Sequence, residues 1–179
     1  DTDATMSAEI RFVRALHYFL LMDGWGNIPF TLEPMTKPEQ RSRAQMYEWL
    51  EQELIGIEPA LSEAKAKKST DAGYGRVDKA ACWLLLSRLY LNSEIYTGTA
   101  QWQKAKEYAD KVIKSSYRLN TVGKGGWTAY QMLFMGDNGE TDAAYEALLP
   151  LLQDGLTTTS WGTSLFLIAG CFDGEMHAN

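Results

Sequence analysis

The sequence predicts an all-α fold of helical hairpins, followed by an irregular, loop-rich carboxy-terminal portion. Three observations carry this. Apolar residues recur at helical spacing in successive runs up to about residue 115. Each run is bounded by residues that cap or break helices. From Tyr117 onward the periodicity lapses, and Gly, Ser, Thr and Pro punctuate the chain.

Taken in order, Ser7 is a candidate cap for a first helix over Ser7–Asp23, with Glu9 placed to complement the dipole. Ile10, Phe12, Val13, Leu16, Phe19, Leu20 and Met22 form a stripe wide enough to require packing on more than one side. Gly24 and Gly26 end the helix. Asn27 to Phe30 then leaves extended, because the residue before Pro29 avoids the helical region. Thr31 to Arg41, with Pro34 and Pro38, reads as a loop. Ser42 and Gln45 stand as a capping box for a second helix, Ser42–Glu58, which Pro59 ends or kinks. The basic run Lys65 to Lys68 reads as a solvated helix end, and Lys67 to Arg76 as a polar loop.

Asp78 caps a third helix over Asp78–Tyr96, and Thr99 a fourth over Ala100–Ser115. Trp83, Leu86, Ser87 and Tyr90 fall at the spacing of a W-x-x-L-G-x-x-Y helix. Ala105, Ala109 and Val112 supply small or branched residues where a partner helix must come close. That is the pattern of a tetratricopeptide-like hairpin, a stacking unit that points to binding and assembly rather than to a catalytic centre. The four helices are expected to pair as two antiparallel hairpins. Two hairpins alone are marginal, so the missing cover must come from the irregular portion, from sequence outside this chain or from a partner.

In the remainder, Gly123 to Gly126 is a turn cluster without the Gly-Lys-Ser/Thr ending of a phosphate loop. Trp127 to Phe134 reads as a short helix and Gly136 to Thr141 as a loop. Ala143 to Leu152 is helical by propensity, but Pro150 turns its end extended. A Thr- and Ser-rich loop, Leu156 to Trp161, leads to an apolar segment, Leu165 to Ala169. Residues 1–179 are expected to form one domain, 7–116 being the helical scaffold and 117–179 an irregular cap carrying the candidate ligand loop.

Composition removes several function classes. A net charge of −6 argues against a nucleic-acid surface, which needs clustered Lys and Arg. Two cysteines, Cys82 and Cys171, are too few for a disulfide framework, and Cys82 beside Trp83 reads as a small hydrophobe. His17 and His177 offer no zinc spacing, and His17 reads as a half-buried packing residue. No metal or cofactor is expected. No stretch is apolar for the eighteen or so residues of a membrane helix, and no signal peptide is visible. Neither the opening at Asp1 nor the close at Asn179 looks like a natural terminus, so a processed or truncated product is expected.

Several ordered blocks resemble the SusD/RagB family of surface nutrient-binding lipoproteins. Ala8 to Phe19 resembles its "AE-RFLRA-YYF" helix, and Asp23 to Phe30 its "-YG-VPL" exit. Gly75 to Leu91 resembles "GRATK-AA-ALLARVYL", and Trp102 to Ile113 resembles "W-KA-EYADKVI". Gln153 to Gly155 with Ser160 to Ala169 resembles the later "Q-----S-GG--F-IA" stretch. The resemblance spans nearly the whole chain and matches a middle portion of longer family members. It implies a non-enzymatic subunit that binds an oligosaccharide or other nutrient and sits on a SusC-like TonB-dependent transporter. It also implies a place on the outer-membrane surface, with the lipid anchor on a part of the protein outside this chain.

A carbohydrate site needs flat rings to stack on sugars and planar polar groups to hold hydroxyls. Trp49, Trp83 and Tyr90 sit at packing positions, Trp102 as a helix staple and Trp25 as a structural plug. Trp127 and Trp161 follow Gly-rich or polar loops outside the hairpins, where binding residues tend to lie. Trp161, with Gln153 and Asp154 nearby, and Trp127 are therefore the candidate ligand residues. Arg88 stands among leucines and needs a carboxylate partner or a route to water. The competing functions are a tetratricopeptide-type adaptor, which needs several consecutive repeats, and a glycosidase, which needs two carboxylates facing across a cleft. No such pair stands out, and no catalytic residue is assigned.

Overall fold

The computed structural model describes residues 3–152. Gln153, Asp154, Trp161, Cys171 and the apolar segment Leu165 to Ala169 lie outside the described residues. Helix α1 runs Ala4–Trp25 and α2 runs Arg43–Ile57. Between them Ile28–Phe30 (β1) pairs antiparallel with Glu39–Arg41 (β2). Then follow α3 (Lys79–Leu91), α4 (Ser93–Thr97) and α5 (Trp102–Ile113). Beyond α5 the regular pieces are 3₁₀ turns, Gln131–Phe134 and Asp142–Glu146.

The long helices pair as antiparallel neighbours, as contacts along their lengths establish. At the start of α1, Arg11 and Arg14 reach Glu53 near the end of α2. Further along, Tyr18 meets Trp49 edge to face at 5.3 Å. Past its end, the Asn27 side chain accepts from the Arg43 backbone N–H at 3.1 Å. In the second pair, the Lys111 ammonium lies over the Trp83 ring. Next the Ser87 hydroxyl donates to the Ala105 carbonyl at 2.8 Å, and the Lys104 ammonium lies over Tyr90. Ser87 occupies the small-residue position of the pattern, and its burial against Ala105 shows why size is restricted there.

Helix α2 joins the pairs. Trp83 Nε1 donates to Glu58 at 2.6 Å, the Tyr90 hydroxyl to Glu51 at 2.8 Å, and the Cys82 thiol weakly to the Leu54 carbonyl at 3.5 Å. One apolar cluster runs through Phe12, Phe19, Met22, Met46, Leu50, Leu54, Leu86 and Leu89. Burial pushes the Cys82 thiol up to about 12, so it stays protonated and behaves as a core residue.

Several boundaries differ from expectation for local reasons. The first helix begins at Ala4, capped by the Asp3 carboxylate accepting from Thr5 N–H; Ser7 is therefore inside it. It runs through Gly24 and stops at Gly26, whose φ of 78° favours glycine. Trp25, expected as a plug, is 75% exposed on the last turn. The capping box at Ser42 and Gln45 forms as expected. The third helix starts behind Asp78 but ends at Leu91. Asn92 breaks it, its side-chain amide donating back to the Arg88 carbonyl, and α4 is a separate turn. Thr99 does not cap α5; its carbonyl instead accepts from the Ser93 hydroxyl at 2.8 Å, and α5 begins at Trp102 without a side-chain cap. Trp102 is 62% exposed and staples nothing.

Lys65 to Lys68 has no regular secondary structure and is not a helix end; it is anchored where Lys65 N–H donates to Asp78 and Ala66 N–H to the Ser116 hydroxyl. His17 is exposed, its ring beside the Val13 carbonyl. Arg88 has its route to water, its guanidinium lying 5.3 Å from the Phe19 ring centre. The strand pair escaped prediction because three residues are too few to show a period of two.

Candidate functional site

The irregular layer after α5 is held to the scaffold by a few polar links. Asp78 is buried and fully used: one carboxylate oxygen accepts from Ala80 and Ala81 N–H, the other from Lys65 N–H and the Tyr117 hydroxyl. Next along, Arg118 N–H donates to the Tyr145 carbonyl and Asn120 N–H to Glu146. On the other side, Ser69 N–H donates to the Gly139 carbonyl at 2.7 Å, and Lys68 pairs with Asp142 at 2.9 Å. Lys68 and Arg118 together hold the Asp142 carboxyl below the usual carboxylate range, the Lys68 hydrogen bond contributing most.

These links leave a hollow of about 740 Å³ between the 69–74 loop and the 133–152 segment. Its size suits a small-molecule or oligosaccharide site. Ala143, Ala144, Ala147, Pro150 and Leu151 supply an apolar wall. Ser69, Tyr74, Asn138, Glu140 and Glu146 supply polar groups. Gly139 lies tight against this wall. A Cβ there would stand 3.1 Å from the Tyr74 hydroxyl and 3.3 Å from Ser69 Cβ, so a side chain would press on the wall. Burial pushes the Tyr74 phenol up, keeping it a neutral donor and acceptor. Asn138 spends its amide N–H₂ on the Leu133 carbonyl at 2.8 Å, which fixes its side chain. A ring, a fixed planar amide, hydroxyls and an apolar wall are what stacking on a sugar and bonding its hydroxyls require.

Trp127 stands apart from this hollow. It sits in a tight turn closed by backbone bonds between Lys124 and Trp127, with Gly125 and Gly126 at positive φ. Its ring is 52% exposed. The exposed Tyr130 and Phe134 pack edge to face at 5.2 Å in the 3₁₀ turn that follows. Trp127 is thus exposed and is not among the residues that line the hollow. Tyr74, Asn138 and Glu140 went unmarked in the sequence. Their signal was the clustering of Gly, Asn, Asp and Thr at 136–142, which marks a loop but not a wall. Among the described residues no cluster of His, Cys, Asp and Glu is arranged to hold a metal ion, and no helix is long and apolar enough to cross a membrane.

This paired-helix scaffold aligns with the solved structures of several SusD-like proteins. A SusD-like carbohydrate-binding protein from Bacteroides fragilis aligns over 66% of this chain and 23% of its own, with a TM-score of 0.56 at 22% identity. The surface glycan-binding protein A of Bacteroides uniformis aligns over 64% of this chain and 25% of its own, with a TM-score of 0.52 at 30% identity. In sequence, the chain is 42% identical over 165 residues to the starch-binding protein SusD of Bacteroides thetaiotaomicron, a match covering 91% of this chain. The chain belongs to the SusD/RagB family. It spans 28% of the length of that SusD relative. No protein-family model matches it.

Proposed function

We infer that the chain is part of a surface subunit that captures a glycan or related nutrient without turning it over. The observation that carries this is the 42% identity to a starch-binding protein along nearly the whole chain. The amphipathic hollow beside Tyr74 supports it, as does the description of a further structural neighbour as a laminarin-binding SusD-like protein. The finer assignment is to a pair with a SusC-like TonB-dependent transporter at the outer-membrane surface, with lipid anchoring through a part of the protein outside this chain. Trp161, Gln153, Asp154 and Trp127 are proposed to border the ligand, the two indoles as stacking faces.

The test is calorimetric titration of the protein with maltohexaose and laminarihexaose, followed by chromatography of the recovered sugar. Saturable binding with unchanged oligosaccharide supports the reading, and hydrolysis abolished by replacing one carboxylate sinks it. Trp161→Ala should weaken binding by about 1–3 kcal/mol if the ring stacks, with little change in thermal stability. Loss of folding with unchanged affinity per folded molecule would assign that ring to packing instead. Recovery of a large β-barrel with the tagged full-length protein tests the transporter assignment separately.

A further inference from the structure

The carboxy-terminal third carries a one-sided charge pattern. After Lys124 the sequence contains no Lys or Arg at all. Over the same stretch stand Asp137, Glu140, Asp142, Glu146, Asp154, Asp173 and Glu175. Four of these, Asp137, Glu140, Asp142 and Glu146, lie on the described segment that borders the hollow. Among the residues that line the hollow, Glu140 and Glu146 are charged and both are acidic.

Most cations on neighbouring elements already answer a carboxylate. Lys68 and Arg118 both pair with Asp142, at 2.9 and 3.5 Å. Both also lie against the Tyr145 ring. Lys124 reaches Asp137 at 3.4 Å, and Lys67 donates to the Gly73 carbonyl. Arg76, at the next turn, pairs with Glu9 on α1. Of the two wall carboxylates, Glu146 accepts from Asn120 N–H, whereas Glu140 is exposed and makes no ion pair with a described residue.

We propose that this site selects uncharged glycans and rejects uronate- or sulfate-bearing ones, with Glu140 as a specificity-determining residue. The proposal rests on the glycan reading above and adds the ligand's charge class. A carboxylate on the sugar would meet Glu140 and Glu146, with no guanidinium or ammonium among the described residues that line the hollow to answer it. A cleft of one sign repels a like-charged ligand before contact as well as after it. Neutral sugars pay nothing for that field, and their hydroxyls find acceptors in the same carboxylates.

The experiment titrates the protein with maltohexaose and laminarihexaose and with the C6-oxidised, uronate-bearing counterpart of each, at low and at high salt. The expected result is that each uronate form binds at least about tenfold more weakly at low ionic strength, and that the gap narrows as salt screens the field. In Glu140→Lys the ratio of neutral to uronate affinity should fall several-fold. Equal or tighter binding of the uronate forms overturns the charge selection and leaves the glycan reading standing. A gap indifferent to salt and to Glu140→Lys also overturns it, because the discrimination would then be steric. Absence of binding to both forms overturns the glycan reading itself, and the charge selection with it.

Discussion

Tyr74 has two roles that one substitution separates. Its half-buried side chain lines the hollow beside Gly139, and its hydroxyl makes no hydrogen bond with a described residue. Tyr74→Phe keeps the ring and removes the hydroxyl. Glycan affinity is expected to fall by about 0.5–1.5 kcal/mol, the net worth of one hydrogen bond, with the melting temperature nearly unchanged. Unaltered affinity in a titration would remove Tyr74 from the site. Glu53 offers the contrasting, purely structural case. Its side chain is 9% exposed and accepts from Arg11 at 2.6 Å and Arg14 at 2.8 Å. The Arg11 hydrogen bond is the main reason its carboxyl lies below the usual range. Glu53→Gln would leave two neighbouring guanidinium groups without an anion. The expected loss is about 1–2 kcal/mol, less than for a fully buried pair because both arginines are partly in water. Its folded pKa is depressed, so this stability is present above about pH 4.3 and is lost as pH falls through the lower folded value. Denaturant melts at pH 7 and pH 3 should therefore show wild type and variant converging in acid.

At the scale of elements, the α3–α5 pair turns on Ser87, where a small side chain lets the helices meet and its hydroxyl reaches the Ala105 carbonyl. Ser87→Leu should force them apart at a cost of about 1–3 kcal/mol, with helicity retained. Ser87→Ala should cost only about 1 kcal/mol, from the lost hydrogen bond. Equal stability of the two variants by chemical denaturation would mean that this contact does not limit packing. The pairing was legible because Trp83, Leu86, Ser87 and Tyr90 are spaced by the turn of a helix, and Ser42 with Gln45 by its first turn. The end of α3 was not. Asn92 is a weak helix former, but one such residue does not mark an end by itself, and its side-chain bond back to the Arg88 carbonyl, with Ser93 fixed to Thr99, shows the break. The hollow was illegible for a related reason. Tyr74 and Glu140 are 66 residues apart in sequence and are brought together by long-range links such as Ser69 N–H to the Gly139 carbonyl and Lys68 to Asp142. No local pattern encodes a single long-range backbone bond, whereas exposed rings such as Trp127 follow from their loops.

At the scale of the whole molecule, the described core carries several phenols and the Cys82 thiol whose ionisation folding opposes. Burial, aided by Glu51, pushes Tyr47 up to about 12. Burial with Glu58 does the same to Tyr108, and burial alone is the leading cause for Cys82. Tyr90, Tyr96 and Tyr117 are raised further, by burial first and then by donating to Glu51, Asp23 and Asp78. These hydroxyls join the separate parts: Tyr90 ties α3 to α2, Tyr96 ties α4 to α1, and Tyr117 ties the irregular layer to the cap of α3. Each folded pKa is raised above an unfolded value near 10. The stability they contribute is therefore complete below about pH 10 and disappears as pH rises toward 12 and beyond. Alkaline unfolding is expected to be steep, with tyrosinate absorbance near 295 nm rising together with the loss of helical circular dichroism. Tyr117→Phe should bring the transition of the irregular layer to lower pH, because Asp78 then keeps only its backbone partners. If all phenols ionised near pH 10 while the helices stayed intact, the hydroxyl ties between helices would be too loose to hold the fold as described.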